Sequence, residues 1–157
     1  MMASQTNADI KNRIDRIAAK TMDINQFLVQ HFDLKPPNEG FQDKAQVVTY
    51  HDPCHLKKGL GVTAEPRKLI KMNSAYRLAE MTESDWCCGM GGSFNLKYYD
   101  ISSQIAARKR ENILATGCKV IATGCPACML QISDTLSKTD AAAVTVKHPI
   151  EIYQETL

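Results

Sequence analysis

Apolar residues near the start of the chain recur at helical spacing. Ile10, Ile14, Ile17 and Ala18 share one face, with Asn7 and Asp9 as the candidate N-caps, and polar residues fill the remainder, as on a surface helix. A second, shorter helical pattern begins at Asp23 and uses Ile24, Phe27 and Leu28. Pro36-Pro37 and Asn38-Glu39-Gly40 then break the chain, so residues 35–44 read as a linker.

Beyond the linker the pattern alternates between strand and helix. Val47 to His51 has the β-branched and aromatic content of a strand and stops before Pro53, which places Cys54 just past a carboxyl end. Pro66 is expected to open a helix carrying Leu69 and Ile70. A weaker strand, Tyr76 to Met81, leads into the glycine-rich run from Trp86 to Gly92. Asp100 is expected to cap a helix reaching Thr116 and stopped by Gly117, although Lys109 interrupts its apolar stripe. Lys119 to Thr123 reads as a buried strand. Gly124-Cys125-Pro126 turns into a helix with Pro126 at its first position and Cys128, Met129, Ile132 and Leu136 along one face. Ala143 to Lys147 alternates like a strand, and Pro149 opens a final helix.

Strands separated by helices predict an α/β fold with a mainly parallel sheet flanked by helices, because parallel neighbours need crossover connections. An N-terminal helical segment and linker, residues 1–40, would precede the α/β domain, residues 41–157. In such sheets ligands bind beyond the carboxyl ends of the strands. The three cysteine-bearing loops each follow a predicted strand, so they are expected at one end of the domain.

Composition narrows the function. The chain is 44% apolar and 23% charged, with 157 residues, enough for one domain with its own core. Its net charge of +2 comes from interleaved acids and bases, with no basic run of the kind nucleic acid would require. No apolar stretch approaches the roughly 20 residues of a membrane span, and the polar start lacks the core of a signal peptide. The expected location is the cytoplasm, where six cysteines point to metal or redox chemistry rather than disulfides.

Thirty-two residues separate Cys54 from Cys87-Cys88-Gly89, and thirty-five separate Gly89 from Cys125-Pro126-Ala127-Cys128. Thiolates are soft ligands suited to iron-sulfur clusters and zinc. A Cys-x-x-Cys pair at a helix start also gains from the amides and dipole there, which favour thiolate over thiol. Five cysteines exceed the four of a tetrahedral zinc site, and an adjacent pair suits two neighbouring irons better than one ion. Cys118 belongs to no pair and starts a buried strand, so packing is its expected role. His51 and His55 flank Cys54; local hydrogen bonding is the expected role for both, with ligation or thiolate tuning as the alternative. His31 and His148 read as structural or solvated. The glycines at 89, 91 and 92 do not form a phosphate-binding motif and are expected to wrap a cluster.

Taken with the cysteine spacing, "YHDPCHLKKGLGV", "EPRKLI", "WCCGMGGSFNL", "ENILATG", "IATGCPACMLQI" and "HPIEIY" resemble the CCG cysteine-rich domain. That domain is the repeated module of one of the heterodisulfide reductase subunits and of the iron-sulfur subunits of glycolate oxidase and lactate dehydrogenase. The likeness covers roughly residues 46–157, and residues 8–34 resemble the helical segment preceding that domain. It implies a Rossmann-like fold and a non-cubane [4Fe-4S] cluster held by Cys54, Cys87, Cys88, Cys125 and Cys128. Zinc in a structural or assembly module is the alternative, and thiol or heterodisulfide chemistry at the cluster is a third. Members of the glycolate group often lack the first cysteine of the last pair, which is present here as Cys125.

The resemblance implies an electron-transfer component with no catalytic residue of its own. Its expected partners are a flavin-containing dehydrogenase subunit acting on a 2-hydroxy acid and other iron-sulfur domains. Relatives usually carry two such domains, and many add a ferredoxin-like segment. This chain has neither, so it is expected to find those parts in a longer subunit or in a partner.

Overall fold

The computed structural model describes residues 2–34, 44–139 and 143–156. The predicted linker lies almost wholly outside them. Among the described residues four strands, β1 (Gln46–His51), β2 (Tyr76–Leu78), β3 (Val120–Thr123) and β4 (Thr145–Lys147), form one parallel sheet in the order β2-β1-β3-β4. The helices are α1 (Met2–Ala18), α2 (Ile24–His31), α3 (Ala64–Lys71), α4 (Ser93–Lys97), α5 (Tyr99–Ala115), α6 (Pro126–Ser137) and α7 (Pro149–Gln154). A wider π-helical turn, His55–Leu60, follows β1.

The strands alternate their side chains between two cores, as the period of two requires. Val48 and Tyr50 of β1, with Val120 and Ala122 of β3, pack against Ile70 of α3 and Ile152 of α7. Ile121, with Val47 and Val146, faces Ile113 of α5 and Ile132 and Leu136 of α6. The result is a three-layer α/β domain, the class the sequence pattern predicts. All of β3 is buried, which accounts for its continuous apolar run.

Several boundaries differ from expectation. The first helix runs back to Met2 and does not start at an Asn7 or Asp9 cap. Asp23 does cap α2, its carboxylate accepting from the amides of Asn25 and Gln26. Pro66 sits two residues inside α3, within a first turn whose amides need no intrahelical acceptor. The second strand stops at Leu78, whose register partner is Val48, and the next amide, Ala79, still donates to the Val48 carbonyl at 2.8 Å. Asp100 lies in the first turn of α5 and Tyr98 occupies the cap, while Gly117 ends the helix with a φ of 66°. The last strand begins at Thr145 rather than Ala143.

The order of strands positions the site. The chain leaves β1 for one neighbour, β2, and then passes over β1 to reach β3 on the other side. The segments leaving β1 and β3 therefore diverge, opening a crevice at the carboxyl ends of these two strands. His51 and Thr123 are paired as the last residues of β1 and β3. Cys54 and Cys125 follow within three residues. No helix among the described residues is long and apolar enough to cross a membrane.

Candidate metal centre

A cavity of about 240 Å³ occupies this crevice. Cys54, Cys87, Cys88, Cys125 and Cys128 all line it, together with His51, His55, Met90, Gly91, Gly92 and Ala127. The five cysteines singled out by spacing are thus neighbours in space, although three separate loops carry them. Cys54 and Cys87 are exposed, whereas Cys88, Cys125 and Cys128 are buried; all are free thiols. Cys118 is also free and buried but does not line the cavity. It precedes β3, at the opposite end of the strand, with Sγ 3.7 Å from the Ile113 carbonyl.

The buried thiols are hydrogen-bonded to one another. Cys88 and Cys128 have their sulfurs 3.2 Å apart. Hydrogen bonding from Cys128 and then Cys87 holds the Cys88 thiol far below the ordinary range. Bonding to Cys125 and then Cys88, reinforced by burial, pushes the Cys128 thiol up. Cys125 is lowered to about 5, first by its hydrogen bond with Cys128 and then by the amides of Cys128 and Ala127. Those amides are the open donors of the α6 N-terminus, where Pro126 occupies the first position. The Cys87 sulfur accepts from the Gly89 amide at 3.3 Å.

His51 stands closer to the sulfurs than local hydrogen bonding requires. One of its ring nitrogens, Cys88 Sγ and Cys128 Sγ lie within 4.8 Å of one another. Its Nδ1 is 3.0 Å from the Ser84 carbonyl, a partner 33 residues away. His148 caps α7, consistent with a structural role.

Three sets of residues that hold the cysteine loops are absent from the sequence-based expectations. Arg67 of α3 clamps Asp52, and the Ser84 hydroxyl donates to the same carboxylate at 2.8 Å. Lys109 of α5 is fully buried and reaches the loop before Cys87, with Nζ 2.6 Å from the Glu83 carbonyl and 3.1 Å from that of Ser84. Burial lowers its pKa to about 8. Ser102 of α5 donates to the Gly89 carbonyl at 2.7 Å and receives Asn95, which also donates to Gln131 of α6. The sequence does carry a signal for Lys109, since a lysine on the inward face of an amphipathic helix needs buried acceptors. It carries none for Asp52 or Ser102.

The loop carrying Cys87-Cys88 depends on Gly89, whose φ is 95°. A Cβ there would lie 2.5 Å from the Ser102 carbonyl oxygen. Only glycine allows the cysteine pair to approach α5 this closely.

The CCG cysteine-rich domain family matches residues 48–133, which include all five cavity cysteines. Among curated proteins, one of the subunits of the fumarate reductase (CoM/CoB) of Methanothermobacter marburgensis is 34% identical over 139 residues, covering 87% of this chain and 27% of that protein. An uncharacterized iron-sulfur protein of Methanococcus maripaludis is 37% identical over 131 residues, covering 82% and 25% respectively. Lactate utilization protein A of an Exiguobacterium species is 32% identical over 143 residues, covering 91% and 57%. The chain therefore spans between about a quarter and somewhat more than half of these relatives. With the family match extending over more than half of its residues, and the cysteine loops folded onto one crevice, the chain belongs to the CCG cysteine-rich domain family.

Proposed function

We propose that the chain is an electron-transfer domain in which Cys54, Cys87, Cys88, Cys125 and Cys128 hold an iron-sulfur cluster. The convergence of these five thiols on one cavity at the carboxyl ends of β1 and β3 carries this reading. The donor set fits such a group: all five are soft sulfurs, none is spent in a disulfide, and helix amides favour the thiolate at Cys125. The adjacent Cys87-Cys88 pair favours a cluster of several irons, for which the non-cubane [4Fe-4S] type is our assignment. When bound, the cluster supplies one-electron redox chemistry that no side chain here provides.

The protein's own part is to bind, orient and shield. Lys109, Ser84 and Ser102 fix the loop bearing Cys87 and Cys88, and Met90 and Ala127 wall the cavity. Exposed Cys54 and Cys87 set one side of the centre toward solvent, where electrons can pass to another protein. We assign as partners a flavin-containing dehydrogenase subunit acting on a 2-hydroxy acid and further iron-sulfur domains. Similarity to lactate utilization protein A and the partial coverage of the relatives support this assignment. Free, partly exposed thiols fit a cytoplasmic setting.

The grouping of His51, Cys88 and Cys128 favours a second reading, a structural zinc site, because mixed nitrogen and sulfur ligands suit tetrahedral zinc. Anaerobic purification followed by metal and acid-labile sulfide analysis separates the two. Iron and sulfide in comparable amounts, with broad visible absorption, are expected. Stoichiometric zinc without sulfide would overturn the electron-transfer reading. The domain alone is expected not to oxidise lactate or glycolate with an artificial dye.

A further inference from the structure

Two histidines, His51 and His55, line the cavity beside the cysteines, and of these only His51 is buried. We infer that His51 is itself a ligand of the metal centre, supplying a nitrogen beside the sulfurs of Cys88 and Cys128; this rests on the reading that the cavity cysteines hold iron.

Position is the first support. His51 ends β1 in register with Thr123 at the end of β3, so its ring rises from the rigid sheet directly under the crevice. It is 1% exposed, buried more deeply than Cys88, Cys125 or Cys128. One of its ring nitrogens and the sulfurs of Cys88 and Cys128 all lie within 4.8 Å of one another.

Orientation is the second. The Ser84 carbonyl can only accept, so the 3.0 Å contact requires Nδ1 to carry the proton. With Nδ1 so committed, the nitrogen left for a metal is Nε2. A backbone carbonyl that fixes the tautomer and ring plane in this way is the usual outer partner of a metal-bound histidine. The carbonyl is held in turn, accepting from the Asp52 amide at 3.0 Å and from Lys109 at 3.1 Å. This arrangement gives three separated segments a common purpose: β1 supplies the ring, the 84 loop aims it, and α5 fixes the loop. His55 also lines the cavity but is exposed at the start of the π-helical turn and has no such support.

The test is iron-57 Mössbauer spectroscopy of anaerobically reconstituted full chain, comparing wild type, His51→Asn and His55→Asn. Asparagine at 51 retains an amide that can reach Ser84 while removing Nε2. The expected result is an iron subspectrum in wild type and His55→Asn that is absent or shifted in His51→Asn. In parallel, resonance Raman of wild type and His55→Asn grown with nitrogen-15 histidine is expected to show a shifted iron-nitrogen mode. This second measurement needs no His51 variant and so decides the matter even if His51→Asn fails to fold. Iron and sulfide loading with identical Mössbauer spectra, or no isotope shift, would overturn the ligand assignment alone. Absence of iron and sulfide from wild type would overturn it together with the proposed cluster.

Discussion

Arg67 grips both carboxylate oxygens of Asp52, with Nη1 2.7 Å from Oδ1 and Nη2 2.8 Å from Oδ2. The pair joins α3 to the turn between β1 and Cys54, and its carboxylate side chain is only 3% exposed. Arg67 is also bonded to Glu80, whose side chain is 51% exposed. Removing Asp52 leaves Arg67 with only its exposed carboxylate partner and the Ser84 hydroxyl without its acceptor, so Asp52→Ala is expected to cost about 3 kcal/mol in urea unfolding, the low end for a broken buried pair. Glu80→Ala is expected to cost no more than about 1 kcal/mol, because water replaces an exposed partner. Equal costs would show that the clamp on Asp52 is not what orders this turn.

Gly89 and Gly92 both have positive φ, 95° and 61°, but differ in their surroundings. Alanine at 92 meets nothing within 4 Å, whereas alanine at 89 strikes the Ser102 carbonyl. Gly92→Ala should therefore show only backbone strain, about 1–3 kcal/mol. Gly89→Ala should exceed that cost and also displace Cys87 and Cys88, lowering bound iron at least severalfold. Thermal unfolding and iron content, measured on both variants, check the contrast.

Lys109 predicts a pH signature. Burial lowers its folded pKa to about 8, against about 10.4 for an unperturbed lysine. Between these values the unfolded chain binds more protons than the folded one, so this group makes stability rise as pH increases from about 8 toward 10. Below the folded value both states are protonated and its contribution is level. Unfolding free energies of reduced, metal-free wild type and Lys109→Met, measured across that window, should diverge, with the rise smaller in the variant. Parallel curves would mean that Lys109 is not constrained as described.

The alternation of strand and helix and the three cysteine loops are legible in the sequence because period and punctuation are local properties. Cys125-Pro126 at a helix start is an example: proline at the first helical position and the apolar face through Ile132 and Leu136 are both written within a dozen residues. The supports of the site are not legible in that way. His51, Ser84 and Lys109 meet only because β1, the loop after β2 and α5 are brought together by the strand order. Asp100 fails as a cap for a related reason, since the short helix α4 and Tyr98 lead into α5 and leave no free helix start at that residue. Cys118 is separable from its fellows by direction along β3, a relationship the sequence does carry.

That separation supplies the most direct measurement, a serine series over all six cysteines with iron and sulfide determined after anaerobic reconstitution. Cys118 precedes β3 and Cys125 follows it, and the intervening extended chain spans on the order of 20 Å. Cys118→Ser should keep its iron and sulfide nearly unchanged with at most a modest packing loss. Serine at Cys54, Cys87, Cys88, Cys125 or Cys128 should reduce occupancy or alter the visible spectrum. Loss of the cluster in Cys118→Ser with the fold intact by circular dichroism, or full and spectrally unaltered loading in the five cavity variants, would contradict the account.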